Sequence, residues 1–265
     1  MKRSFGKVKM NILFLGDVVA KSGREAVIQN LESLKSEYSA DFIIINAENA
    51  AHGKGITPVI YKQLSAAGAD VITLGNHSFS KREIIPVIDE CENMIRPSNM
   101  EPLALGSSVI VKEVCDKKVA VVNLLGLAFM NYSTCHPVEV MQELIKKIQA
   151  DIIIVDLHAE ATAEKALFVQ YFKNDVTAVI GTHTHVQTAD EQIKNGCAFI
   201  SDVGMCGVYD SVLGRDTQEV IDMVVHHKPT KYTPARGTVI LCGCLIEVDE
   251  ASGRATAIRR FQKFC

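Results

Sequence analysis

Two histidines one residue apart, His183 and His185, stand where the apolar stretch Val176–Ile180 runs out through Gly181. Other short apolar stretches end in the same kind of residue. Asp17 follows Met10–Leu15, Glu48 and Asn49 follow Phe42–Ile45, Asn76 and His77 follow Val71–Leu74, and His158 follows Ile152–Val155. Carboxylate, carboxamide and imidazole groups together suit borderline divalent metals such as manganese, iron, cobalt or zinc. Two metals about 3.5–4 Å apart need a ligand that reaches both, usually a carboxylate. Glu48 is the sole acid at its strand end and adjoins Asn49, so it is the natural bridge. In an extended segment His183 and His185 point to the same side, and each can serve a different metal.

Each fragment alone has an ordinary explanation. An Asp after a strand is usually a turn or cap residue, and NAEN can satisfy its own backbone. A lone His158 reads as a hydrogen-bonded loop histidine. The recurrence of such residues at five strand ends is what carries the metal reading. His52, in NAENAAHGKG, is close enough in sequence to touch a substrate. His226 and His227 read as surface or helix-end residues, and His136 as a residue preceding a helix start.

The elements that must position these residues follow from periodicity. Apolar residues at helical spacing predict a helix over 24–38, and Thr57 with Pro58 caps another over 57–67. Further helices are expected over 80–90, 137–149 and 161–172. Residues 109–124 read as a β-hairpin around CDKK, 193–200 as a hairpin around Asn195–Gly196, and the end of the chain as two strands around DEASG. Parallel βαβ units mixed with hairpins imply one α/β domain with a two-sheet core and helices outside. Parallel strands place their ends along one edge, which is where α/β sheets bind ligands. Residues 1–9 read as a loose extension and 10–265 as the single domain.

Bulk composition narrows the class. The chain has 265 residues, 48% of them hydrophobic, and a formal net charge of −3. Nothing global recruits DNA or an anionic membrane, so an anionic substrate must be held by local charge. Lys21, Arg24, Lys54, Lys81 and Arg82 lie just past the site-bearing strand ends, although each alone reads as ordinary solvated charge. The longest apolar run, near Val119–Met130, is too short to span a membrane. Eight scattered cysteines without a CxxC pair or a secretory signal suit a reducing cytoplasm. Cys242 and Cys244 share one strand face and read as small core residues.

The ordered set GD (16–17), NAEN (46–49), GNH (75–77), DLH (156–158) and GTHTH (181–185) resembles the calcineurin-like metallophosphoesterase superfamily. The longer strings GDVVAKSGR, NAENAAHGKGIT, GNHSFSK, DLHAEATAEK, GTHTHVQTADE and SDVGMCGVYDSVLG resemble the bacterial YmdB-type phosphodiesterases. The resemblance implies a four-layer α/β/β/α sandwich of two mixed sheets. It implies two metal ions per chain, iron or manganese, with zinc, cobalt and magnesium as alternatives. By the same resemblance, Asp17, Asn49 and His185 hold one metal. Asn76, His158 and His183 hold the other, Glu48 bridges, and His77 is the catalytic proton donor.

The implied substrate is a phosphodiester, foremost a 2′,3′-cyclic nucleotide, attacked by metal-activated hydroxide in line with the leaving oxygen. A homo-oligomer is implied as well. The common Asp-x-His opening of the superfamily is replaced here by Asp17-Val18-Val19. Ser78-Phe79-Ser80 stands where relatives often carry Thr-Trp-Asp, so this wall bears on substrate preference.

Other readings compete with this one. A phosphomonoesterase would use the same groups. A metal-dependent amidohydrolase places its His-x-His after the first barrel strand, whereas here the pair follows four other ligand-bearing strands. A non-catalytic nucleotide- or RNA-binding regulator would use the same site without turnover. No RNA-binding motif or basic aromatic platform is present, although an RNA-related role for a nucleotide enzyme stays open.

Overall fold

Strands whose residues are apolar on both faces need cover on both sides. The computed structural model describes residues 9–101, 105–130 and 135–265. Residues 1–8 of the expected extension lie outside the described residues, and Lys9 already belongs to the first strand.

The first half of the chain runs β1 (Lys9–Leu15), β2 (Asp17–Val18), α1 (Ala20–Glu37), β3 (Phe42–Asn46), α2 (Pro58–Ala66), β4 (Val71–Thr73) and β5 (Met94–Ile95). It continues through β6 (Val109–Val114), β7 (Lys117–Leu125) and α3 (Pro137–Ile145). The second half runs β8 (Ile152–His158), α4 (Thr162–Phe172), β9 (Ala178–Thr182), β10 (Gln192–Lys194), β11 (Cys197–Ile200) and β12 (Met205–Val208). It ends with α5 (Thr217–Val224), β13 (Val239–Asp249) and β14 (Arg254–Phe264).

One mixed sheet has the order β2-β12-β13-β1-β3-β4-β5, with β14 paired to β13; the other has the order β10-β11-β9-β8-β7-β6. β1, β3, β4 and β5 are parallel, as are β7, β8, β9 and β11. The ends of β3, β4, β8 and β9 that carry the candidate site residues are therefore the carboxyl ends of parallel strands.

Strand alternation divides the apolar residues among three layers. Ile12, Phe14, Phe42 and Ile44 of the first sheet meet Val119, Val121, Ile152 and Ile154 of the second between the sheets. Their neighbours Leu13, Leu15, Ile43 and Ile45 face outward and pack under α1 and α2, against Val27, Leu31, Ile60 and Leu64. On the far side, Val122, Leu124, Val155 and Leu157 pack under α3 and α4, against Met141, Phe168 and Phe172. This is the two-sheet core with helices outside that the periodicity predicts, in the four-layer α/β/β/α form that the family resemblance implies.

Local chemistry explains where elements agree with the sequence reading and where they differ. Thr57 caps α2, its Oγ1 accepting from the Ile60 N–H at 3.4 Å. Both hairpins turn on two residues with positive φ, Cys115–Asp116 and Asn195–Gly196, the requirement of a type I′ turn. The segment expected to be a helix over 80–90 is a 3₁₀ helix, Arg82–Glu90, with Pro86 inside it. Proline has no N–H to give to an α-helical ladder.

α1 begins at Ala20 rather than 24, and α3 ends at Ile145 rather than 149. The short strands β2, β5 and β12 have too few residues to show a period. α5 buries none of its residues, so no core-facing stripe announces it.

Phe168 is 1% exposed and packs 4.7 Å, centroid to centroid, from Phe172. Phe168→Ala leaves a cavity between the second sheet and α4, with an expected loss of about 3–5 kcal/mol. Urea denaturation checks this: the midpoint falls while the m-value holds.

Candidate metal centre

At the shared edge of the two sheets the strand-end residues converge. Asp17, Glu48, Asn49, Asn76 and His158 are all buried, while His77, His183 and His185 are partly open to a cavity of about 410 Å³. Glu48 comes from the loop after β3 in the first sheet and His158 from the end of β8 in the second. Glu48 Oε1 lies 3.2 Å from His158 Nε2.

Around His158 Nε2 stand Asn76 Oδ1 at 3.0 Å and His183 Nδ1 at 3.0 Å. On the other side of Glu48, Asn49 Nδ2 lies 2.9 Å from Glu48 Oε1 and 3.0 Å from His185 Nε2. His185 Nε2 is in turn 3.8 Å from Asp17 Oδ1. The ligand atoms of Glu48, His158 and His183 all lie within 4.8 Å of one another.

His183 and His185 meet the site by a route different from strand alternation. β9 ends at Thr182, and both histidines have positive φ, 103° and 65°. Such backbone is costly for non-glycine residues and persists only where surroundings hold it. The holding groups are visible. The His183 N–H donates to Asp17 Oδ2 at 3.1 Å, and the Thr184 N–H donates to Asp202 Oδ2 at 2.9 Å. Fully buried Lys165 donates to Thr182 O at 2.8 Å and pairs with Asp202 at 3.0 Å, pinning the same turn. Gly75 is fixed by crowding, since a Cβ there would sit 2.3 Å from Glu48 Oε2 and 2.5 Å from the His158 ring.

The residues fit a metal on the chemistry of the donors. Asp17 Oδ1 is buried with no hydrogen-bond partner among the described residues. His158 Nε2 faces two oxygens and another imidazole nitrogen, more than one N–H can serve. Each histidine also has its far nitrogen engaged by oxygen. His158 Nδ1 donates to Thr182 Oγ1 at 2.8 Å, and Thr182 Oγ1 donates to Asp156 at 2.7 Å. His185 Nδ1 donates to Leu213 O at 3.0 Å, and His183 Nε2 lies 3.1 Å from Glu160. These partners select the tautomers whose lone pairs face inward, as metal-ligating histidines require.

Charge is tightly coupled here. Burial alone would raise the Glu48 carboxyl, but the His158 imidazole and the His77 N–H hold it well below the usual range. Burial would lower His158, yet Glu48, Asp17 and Asp156 push it up to about 9. Burial and then the neighbouring His158 charge push His183 down to about 3. Burial raises Asp17 to about 6 against the pull of His185 and His158. Burial also lowers His77, partly offset by Glu48.

His52 is not brought into this cluster. It is exposed, its ring lies 6.2 Å from that of Tyr232, and it lines the neighbouring cavity. His226 and His227 are exposed past α5, and His136 caps α3 by accepting from the Val138 N–H. Sequence reasoning missed Glu160, Lys165, Asp202, Arg215 and Tyr232. Asp202 carries the same strand-end signal as the ligands, since it follows β11. Arg215 and Tyr232 lie in segments without periodicity.

The arrangement and the fold are those of a metallophosphoesterase. The sequence matches the YmdB-like protein family over residues 13–261, and the chain belongs to that family. It is 42% identical over 254 residues to a 2′,3′-cyclic-nucleotide 2′-phosphodiesterase of Bacillus subtilis, covering 95% of this chain and 96% of that protein. A crystal structure of a phosphatase from Mycoplasma pneumoniae superposes with a TM-score of 0.91 at 37% identity, covering 97% of this chain and 94% of the other. A crystal structure of a protein from Thermus thermophilus superposes with a TM-score of 0.90 at 34% identity, covering 96% of this chain and 99% of the other. The chain is a hydrolase acting on phosphoester bonds. Among the described residues no helix is long and apolar enough to cross a membrane.

Metal binding requires neutral imidazole. With its pKa at about 9 against an ordinary 6.5, His158 in the metal-free protein is protonated at neutral pH. Loading must expel that proton, so apparent affinity should rise with pH up to about 9 and flatten above it. Calorimetric titration of metal into stripped protein at pH 7, in buffers of different ionisation enthalpy, should count about one proton released from this group. No release would show that His158 is already neutral.

Proposed function

We propose that this chain is a dinuclear metal-dependent phosphodiesterase whose substrates are 2′,3′-cyclic nucleotides. The observation that carries the reading is the position of Glu48. Its Oε1 lies between two donor sets, Asn76–His158–His183 on one side and Asp17–Asn49–His185 on the other. In this reading each set would hold one metal and Glu48 would serve both, with iron or manganese as the expected ions. A metal pair of this kind neutralises phosphate oxygens and supplies hydroxide near neutral pH. The named activity of the Bacillus subtilis relative supports the substrate class.

The remaining steps fall to side chains. The cavity floor orients the phosphate between the two donor sets, leaving one ribose oxygen as the leaving group. His77 follows Asn76, and its Nε2 lies 3.5 Å from Asn76 Nδ2 while Ser80 Oγ lies 3.3 Å from Nδ1. The ring is thus held at the rim of the metal centre. Burial lowers the His77 pKa and so makes its imidazolium a stronger acid. That imidazolium gives its proton to the leaving ribose oxygen as the P–O bond breaks, and the ring opens to a single nucleoside phosphomonoester. Lys54 and Arg215 also line the cavity and add positive charge beside it. Arg215 is fixed by a bidentate pair with Glu219 and lies 4.9 Å from the Tyr232 ring centroid.

His77→Ala should lower kcat on 2′,3′-cyclic AMP by about 10²–10⁴-fold with metal content unchanged. Turnover paired with metal analysis of the same preparation checks this. Full turnover by the variant would remove His77 from the proton-donor role. Glu48→Gln should lose both activity and metal, because the bridging charge is gone. Wild-type protein that binds metal yet turns over no phosphodiester would favour the regulator reading.

A further inference from the structure

A second cavity, of about 590 Å³, lies across the 51–54 loop from the metal centre. The two cavities are lined by different residues that adjoin one another along the chain. Gly53, Lys54 and Tyr232 line the metal-centre side, while Ala51, His52 and the 233–236 segment line the other. His77 borders the first and Lys81, one short turn later, borders the second.

The second cavity is built for negative charge. Lys21, Arg24, Lys81 and Arg236 line it, with His52, against one acid, Glu83. Arg24 is partly buried and held in place by donating to Ala50 O at 2.8 Å. Among the described residues Lys21 pairs only with Glu25, at 3.6 Å and in solvent, a pairing that does little to neutralise it. Two helices begin here: Lys21 and Ser22 belong to the first turn of α1, and Thr57 caps α2. Neither has an acid in its first turn, so the positive ends of both helix dipoles add to the side-chain charge.

We propose that this cavity binds a second, non-scissile phosphate of a substrate whose reacting phosphate lies in the metal centre. The inference rests on the phosphodiesterase reading above and extends its substrate class. The phosphate is the 5′-phosphate of a nucleotide or the backbone phosphate of a short oligoribonucleotide. Between the two cavities the His52 and Tyr232 rings offer an aromatic surface across which a sugar or base can lie.

The test is equilibrium binding to the metal-loaded protein. The probes are adenosine 3′-monophosphate, adenosine 3′,5′-bisphosphate and an adenylyl dinucleotide ending in a 3′-phosphate. Charge-assisted contacts to the added phosphate should tighten binding about ten-fold over the monophosphate. In Lys21→Ala/Arg236→Ala that advantage should shrink to within about two-fold, with an unchanged melting temperature showing that the variant is folded. An advantage for the bisphosphate assigns the cavity to a 5′-phosphate, and an advantage for the dinucleotide alone assigns it to a backbone diester. Equal binding of all three probes, or an advantage that survives the double substitution, overturns the proposal. Because the readout is binding, failure to hydrolyse cyclic nucleotides would count against the phosphodiesterase reading and leave this result standing.

Discussion

The contact between Glu48 and His158 is the one on which the site depends, because its two members come from different sheets. A carboxylate and an imidazole meet at 3.2 Å in a place where both are cut off from water. Breaking such a pair by removing one member leaves an uncompensated buried charge, a costly outcome. Both sheets must therefore end at the same edge and in fixed register. The polar chain beneath enforces this. Asp156, at the end of the second sheet, accepts from Asn46 and Thr73 of the first and from Thr182 beside it. Fully buried polar networks of this kind are worth most when every member is satisfied. Asp17 Oδ1, one of two buried side-chain atoms without a hydrogen-bond partner among the described residues, faces the centre itself.

The division of labour between backbone and side chain is uneven across the site. Asn76, His158 and Glu48 need only a strand end and a crowded neighbour. His183 and His185 need a turn that non-glycine residues resist, and the chain holds that turn with Asp17, Asp202 and Lys165. An imidazole placed by a strained turn loses little when it meets a ligand, since its orientation has already been fixed.

Much of this was legible in the sequence, for a physical reason. Buried parallel strands are short apolar runs, and their ends must be polar where they leave the core. Listing the residues at those ends therefore finds Asp17, Glu48, Asn49, Asn76, His77, His158, His183 and His185 together. The same logic reaches a two-sheet core with helices outside, and the family resemblance supplies the four-layer form. It fails for groups whose role is contact rather than position. Lys165 reads as an ordinary helix lysine until the fold buries it against Asp202. Tyr232 and Arg215 sit in irregular segments, and His52 is near the site in sequence while its loop turns it into the neighbouring cavity. Pro86 was readable in advance as an obstacle to the α-helix expected over 80–90, and a 3₁₀ helix forms there instead.

The strand β13, near the end of the chain, lies between β12 and β1, with Lys9–Leu15 paired against Gly243–Asp249. During synthesis, then, β1 keeps an open edge until β13 (Val239–Asp249) has left the ribosome. At a translation speed of about 5–20 residues per second, that wait lasts on the order of tens of seconds. Unpaired apolar edges are templates for association with other chains. Nascent chains of this protein therefore pass through an interval in which their most central strand is also their most adhesive one. The hairpin of β13 with β14 ends that interval by closing the edge.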